Sequence, residues 1–315
     1  MSAGHSPSRE GRAELLALAT ELRPALHRYC ARLMGSIIDG EDVVQDALTR
    51  AFVALQDLKE TPLLRPWLFR IAHNRALDLL RSQAVRKAEQ IDAASQVSDL
   101  AAADTVDTLM RQEAVNTAVS RFAELPILQR SVVILKDVLD ESLIDIATLI
   151  NISVDAVKGH LARGRARLRE INVNASSLPD ARPASAAVAR YVALFNQRDW
   201  DSLRALLADD VKLNQSSHPA RVGRADVGMF FSTYAKTDSV WLEPAWVDGR
   251  EVIAVFEDRA DPSPNYMMWL EWRDGRISFI HDYRYVRYVV ANAELTMAPD
   301  NPDPHNAIPG NVPLH

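Results

Sequence analysis

The sequence has almost no cysteine and no long apolar run, and each absence excludes a class of protein. Cys30 is the single cysteine, which excludes an intrachain disulfide and a cysteine-rich zinc site. No apolar stretch approaches the roughly 20 residues that cross a bilayer, which excludes a membrane helix. The first residues lack a basic stretch followed by an apolar core, so we expect no signal peptide. These absences fit a cytoplasmic protein, for which we expect no cofactor, no metal and no membrane partner.

Length and composition indicate an ordinary globular chain with an uneven charge distribution. The 315 residues are 48% hydrophobic and 25% charged, and at about 150 residues per domain they suggest two or three folded units. The net charge is −6. Residues 156–171 nevertheless carry five bases and one acid, whereas residues 88–113 carry six acids and one base. A local basic stripe can bind phosphate, so the acidic total does not exclude nucleic-acid binding.

Residues 142–168 have the pattern of a helix-turn-helix. Ile146 lies on the inner face of the first predicted helix, and Val157 and Leu161 pack the second one down. Ser153 is suited to cap the second helix. A recognition helix presents its outer face to the major groove, where lysine and arginine contact phosphates or guanine edges. The outer-face candidates are Val154, Asp155, Lys158, Gly159 and Arg163. The basic Arg165 is a further candidate for DNA contact. The alternative interpretation is a helical hairpin with a solvated basic face.

Two blocks of the first half resemble an extracytoplasmic-function sigma factor of the sigma-70 family. Residues 39–52 and 65–81 resemble sigma region 2, and residues 125–135 with the helix-turn-helix resemble region 4. The resemblance implies a region 2 helical bundle at 12–90 and a region 4 domain at 117–171, joined by an acidic linker at 91–116. It also implies core RNA polymerase and promoter DNA as partners.

Roles within region 2 follow from the same resemblance. The segment that docks on core polymerase contains Asp42, Gln45, Asp46 and Phe52. The next segment opens and reads the −10 element, which requires stacking on an unpaired base and contacts to phosphate. Its candidates are Trp67, His73, Asn74, Arg75, Arg81, Arg86 and Lys87. We expect His73 to be a surface polar group. Trp67 is equally consistent with core packing.

The second half resembles a SnoaL-like domain, a cone-shaped α+β fold. The resemblance rests on residues 191–213, 223–227 and 275–286 and implies a domain at 187–298, after a linker at 172–186 and before a loose tail at 299–315. Two hairpins are predicted, at Asp248-Gly249 and Asp274-Gly275. Domains of this kind enclose a pocket, which implies a possible small-molecule ligand. The pocket candidates are His218, Trp246, Trp269 and Asp282.

We interpret the chain as a multidomain sigma factor whose own SnoaL-like domain modulates its activity. Catalysis is not expected, because His281 and Asp282 are adjacent on a predicted strand and their side chains therefore point to opposite faces. Two alternatives remain open. One is a helix-turn-helix repressor, and the other is a SnoaL-like isomerase or hydrolase fused to a DNA-binding module. The predicted docking helix favours the sigma interpretation over the repressor, which has no need of it.

Overall fold

The chain divides into two compact units, the first of residues 1–177 with 291–293 and the second of residues 178–290 with 294–315. The computed structural model describes residues 9–55, 63–88, 117–174, 182–216 and 218–299, with the backbone alone at 9–14 and 85–88. The predicted linker at 91–116 and the predicted tail beyond residue 299 lie outside the described residues. Within those ranges, no helix is both long enough and apolar enough to cross a bilayer.

Three helices form the first part of the first unit: α1 (Arg9–Met34), α2 (Ile37–Ala54) and α3 (Leu64–Ala88). The Ser36 hydroxyl accepts the Asp39 backbone N–H at 3.2 Å and caps the start of α2. A Cβ on Gly40 would lie 2.4 Å from the Ala31 Cα atom, so only glycine lets α1 and α2 pack this closely.

The remaining helices of the first unit follow from residue 119. They are a 3₁₀ turn (Val119–Glu124), α4 (Ile127–Val133) with a π-helical turn (Ile134–Val138), α5 (Leu143–Ile150) and α6 (Val154–Asn174). One hydrophobic core runs through both parts of this unit, from Leu26 and Val44 to Val133 and Leu168. Because this core is continuous, burial of apolar surface holds the two helical parts together.

Helices α5 and α6 form the predicted helix-turn-helix, and its predicted capping and packing are confirmed. The Ser153 hydroxyl accepts the Ala156 backbone N–H at 3.1 Å. Asn151 ends α5 in the left-handed region with a φ of 57°, a conformation that asparagine adopts more readily than most residues. Ile146 and Val157 are fully buried, so the two helices pack through the predicted faces.

The second unit combines short helices with one sheet. Its helices are α7 (Ala186–Asn196), α8 (Trp200–Ala205), α9 (Arg224–Gly228), α10 (Phe230–Tyr234) and α11 (Tyr288–Ala291). Its strands are β1 (Leu207–Gln215), β2 (Arg221–Val222), β3 (Trp241–Val247), β4 (Arg250–Phe256), β5 (Tyr266–Arg273), β6 (Arg276–Asp282) and β7 (Thr296–Met297). The predicted fold class, helical in the first half and α+β in the second, is confirmed.

The strand order is β2-β1-β6-β5-β4-β3-β7, and among these pairings only β1 and β6 are parallel. Both predicted hairpins are present. Asp248 and Gly249 have φ values of 50° and 77°, and Asp274 and Gly275 have 52° and 73°. Two successive positive φ values are typical of the type I′ turn, which matches the twist of paired strands. Tyr191, Phe195 and Phe231 pack from the helices into the core of this unit.

Candidate functional site

Helix α2 carries the four residues predicted to dock on a partner. Asp42 is exposed, whereas Gln45, Asp46 and Phe52 are half-buried. Phe52 also packs against the core of the unit, so part of its role is structural. Sequence analysis missed Val53, whose side chain is 60% exposed near the end of the same helix. Its exposure leaves Val53 accessible to a partner that docks on α2.

Helix α3 carries the residues predicted to read the −10 element, and their environments differ. Asn74 is exposed, Trp67 is half-buried against the core, and Arg81 is exposed and pairs with Asp78 at 3.3 Å. Arg75 forms an ion pair with Asp46 of α2. The predicted residues Arg86 and Lys87 lie in the last turn of α3, where the side chains are outside the described part.

The expectation that His73 is a surface polar group is wrong. Its side chain is buried, and its Nδ1 atom lies 2.7 Å from the Tyr29 hydroxyl of α1. Burial lowers the pKa of His73 to about 4, with a smaller contribution from Arg81. The ring is therefore neutral near pH 7 and joins α1 to α3. It is not available to DNA in this arrangement.

The outer face of α6 presents the predicted recognition residues. Asp155 and Lys158 are exposed and pair at 3.3 Å, and Val154, Gly159 and Arg163 are half-exposed. The same helix also exposes Arg167 and Arg169, which the basic stripe of the sequence indicated but the predicted contact set omitted.

Arg165 is a correction to the predicted DNA-contact set. Its Nε and Nη2 atoms bind the two carboxylate oxygens of Asp137 at 2.9 and 2.6 Å. Asp137 is fully buried, and the Arg165 side chain is 13% exposed. Two parallel hydrogen bonds of this kind fix the side chain, so Arg165 anchors α6 to the turn after α4 and does not project toward a groove.

Arg130 connects the two helical parts of the first unit. Its buried guanidinium donates to the backbone carbonyls of Leu33 and Ala123, each at 2.6 Å, and of Leu125 at 2.8 Å. Burial lowers the pKa of this guanidinium to about 10, so the group stays charged at neutral pH. A second link is the ion pair between Arg65 of α3 and Glu141, just before α5.

The second unit does not bring the four predicted pocket residues together. An open cleft of about 730 Å³ is lined by His218, and Trp246, Trp269 and Asp282 are not among its lining residues. The Trp246 indole donates to the Arg182 carbonyl at 3.0 Å, and Trp269 packs edge-on against Phe279. The predicted set is therefore wrong for this cleft, except for His218.

Asp282 is fully buried and does not line the cleft. Its Oδ2 atom accepts a hydrogen bond from the side chain of Gln215, which does line the cleft, at 2.7 Å. Burial raises the pKa of Asp282 to about 6, and the bond from Gln215 opposes this shift. His281 stacks on Tyr283 on the other side of the strand, as predicted, so this histidine and carboxylate cannot act on one substrate atom. No cluster of three or more metal-binding side chains occurs among the described residues.

Three family models match successive parts of the chain. Sigma-70 region 2 matches residues 18–86, Sigma-70, region 4 matches residues 118–168, and the SnoaL-like domain matches residues 188–280.

Individual proteins with similar sequences are sigma factors. The chain is 30% identical over 226 residues to the ECF RNA polymerase sigma factor SigG of Mycobacterium tuberculosis, covering 64% of this chain and 61% of SigG. It therefore spans less than two thirds of that relative. It is 31% identical over 156 residues to the ECF sigma factor SigW of Bacillus subtilis, covering 46% of this chain and 81% of SigW. The crystal structure of the Mycobacterium tuberculosis extracytoplasmic function sigma factor SigJ aligns with 85% of this chain and 95% of that chain, at 20% identity and a TM-score of 0.33.

Proposed function

Because the chain belongs to the extracytoplasmic-function sigma factors of the sigma-70 family, we propose that it binds core RNA polymerase and directs initiation at promoters with −35 and −10 elements. The observation that carries this proposal is the pairing of two surfaces within one unit. Helix α2 presents acidic Asp42 and apolar Val53, and α6 presents the basic outer face of a helix-turn-helix. A repressor would use the second surface alone.

Promoter binding requires the two helical parts of the first unit to separate. The −35 and −10 elements lie roughly 25 base pairs apart, which is about 85 Å of DNA at 3.4 Å per pair. A compact unit of about 160 residues has a radius of gyration of about 15 Å and cannot reach both elements at once. In the sequence the two parts are separated by 28 residues, 89–116. The Arg130 and Arg65 contacts therefore belong to a closed form that opens on polymerase.

Charge reversal on α2 tests the proposed docking surface. Asp42→Arg with Asp46→Arg should weaken binding to purified core polymerase, while exposed or half-exposed charges contribute little to stability. Reversal of Asp155→Arg on α6 provides a matched control, because it changes an exposed acid of the same unit away from α2. Unchanged core affinity of the α2 variant, with an intact helical spectrum, would contradict the assignment.

The second unit has its own core, and we assign it a regulatory role. The burial of Asp282 and the placement of His281 on the opposite side of β6 argue against acid–base catalysis. A chain ending at Ser177 should retain core binding but differ from the full chain in promoter-directed transcription. Equal activity of the two chains across salt concentrations would contradict regulation by this unit. A small molecule bound in the second unit would act only if it favours one arrangement of the protein over another.

A further inference from the structure

Two of the three large exposed apolar side chains of the second unit line one cleft. Among its described residues only Val222, Met229 and Tyr285 are large apolar side chains that are more than half exposed, at 58%, 57% and 51%. Met229 and Tyr285 line the cleft of about 730 Å³, and Val222 follows the lining residue Arg221. Small-molecule sites are concave, mostly apolar and usually between about 300 and 1,000 Å³ in volume. This cleft has the volume of such a site, and Met229, Pro219 and Ala220 supply apolar surface in a lining that also holds charged and polar side chains.

One wall of the cleft is aromatic. The His218 ring stacks on the Tyr285 ring with centroids 3.9 Å apart and an angle of 26° between the planes. Both residues are exposed, and Met229 lies on the same cleft. A stacked pair of rings with an open face favours a flat, apolar group over a flexible polar one.

The charged residues of the cleft favour an anion. Arg221 and Lys236 line it, and neither has an ion-pair partner among the residues that the structure describes. Asp226 is the one acidic residue that lines it. Residues 173–315 as a whole carry 14 bases and 19 acids, so two cations beside one acid form a locally positive site on an acidic part of the chain.

We propose that this cleft binds a small aromatic anion, whose ring contacts His218, Tyr285 and Met229 and whose charge is held by Arg221 and Lys236. The interior of the unit is filled by Tyr191, Phe195 and Phe231, so the ligand lies outside the core, above Gln215. Gln215 joins the cleft floor to buried Asp282. The inference adds a ligand class to the regulatory role that we propose for the second unit. It rests on that proposed role only for its biological consequence.

Binding of 8-anilinonaphthalene-1-sulfonate to the full chain tests the inference, with N-phenyl-1-naphthylamine as the matched probe that lacks the sulfonate. Fluorescence titration should show saturable binding of the sulfonate. Arg221→Glu with Lys236→Glu should weaken that affinity by roughly tenfold or more and leave the neutral probe unaffected. Lys236→Gln should give a smaller loss, and a thermal melt should show both variants folded.

A second cleft, lined by Trp241 and Arg259, provides the control. Arg259→Glu should leave sulfonate binding unchanged. Equal affinity of the double variant and the unaltered chain, or an equal loss in the Arg259 variant, would overturn the inference. Promoter-directed transcription measured on the same samples separates the two proposals. If transcription is absent but the expected binding pattern is seen, the cleft proposal is supported and the proposed function is contradicted. If transcription is intact but the binding pattern is lost, the proposed function is supported and the cleft proposal is contradicted.

Discussion

Asp46 of α2 and Arg75 of α3 form an ion pair, and the same Asp46 Oδ2 atom also accepts a hydrogen bond from Arg50 Nε at 3.1 Å. The sequence assigned Asp46 to core polymerase and Arg75 to the −10 element. The structure joins them, so the carboxylate proposed to meet polymerase also holds an arginine proposed to meet DNA. A basic residue of polymerase that binds Asp46 would compete with Arg75 for it.

This relationship predicts opposite effects of Asp46→Asn on the two partners. Affinity for core polymerase should fall, and affinity of the free chain for a single-stranded −10 oligonucleotide should rise as Arg75 is released. The gain should be at most about fivefold, because half-exposed ion pairs contribute about 0–1 kcal/mol. Anisotropy titrations measure it. Arg50→Gln is the control, since it removes the other arginine on Asp46, and an equal gain in that variant would refute the coupling.

Arg130→Met should destabilise the first unit by about 2–4 kcal/mol, because the buried carbonyls of Leu33, Ala123 and Leu125 lose their donor. Urea unfolding followed by circular dichroism measures the change. Arg121→Met is a suitable control, since Arg121 is half-exposed and its side chain makes no polar contact with the described residues. Similar stabilities of the two variants would show that the Arg130 contacts do not hold the closed form.

Arg165→Ala and Lys158→Ala should reduce DNA binding for different reasons. The Arg165 substitution leaves the buried Asp137 carboxylate without its ion-pair partner and should cost about 3–5 kcal/mol of stability. The second changes an exposed side chain, so stability should stay within about 0.5 kcal/mol while promoter affinity falls by about 1–3 kcal/mol if the lysine contacts a base. Thermal melts beside binding to a −35 duplex separate the two. An Arg165 variant with an unaltered melt and weaker DNA binding would restore that residue as a DNA contact.

Stability of the first unit should fall with acidification between about pH 6.5 and pH 4. The folded-state pKa of His73 is about 4, below the unfolded value of 6.5, so the unfolded chain takes up the proton first. The stabilisation is complete above pH 6.5 and is lost at up to about 1.4 kcal/mol per pH unit as the pH falls toward 4. His73→Gln should reduce this slope in urea unfolding and leave the part contributed by buried His27, whose pKa is also lowered by burial. The exposed His218→Gln variant should keep it, and an unaltered slope in the His73 variant would be inconsistent with the buried Tyr29 contact.

Features set by neighbouring residues could be predicted from the sequence. The Ser153 cap and the Asp-Gly hairpins depend on residues within a few positions, and the structure has them as predicted. Burial of His73 depends on Tyr29, 44 positions away, and the anchoring of Arg165 depends on Asp137, 28 positions away. The family resemblance assigned His73 to the −10 segment and the basic stripe included Arg165, and neither carries information about such partners. The cleft of the second unit was only partly predicted for the same reason, since its walls come from separate segments.

Run-off transcription with purified core polymerase and a library of promoter fragments tests the central proposal most directly. Core polymerase with the full chain should initiate at a subset of fragments that share −35 and −10 sequences at one spacing, and core polymerase alone should not select them. Asp42→Arg with Asp46→Arg should abolish this selection. If the full chain gives no start sites beyond those of core polymerase alone, the assignment as an initiation factor is wrong.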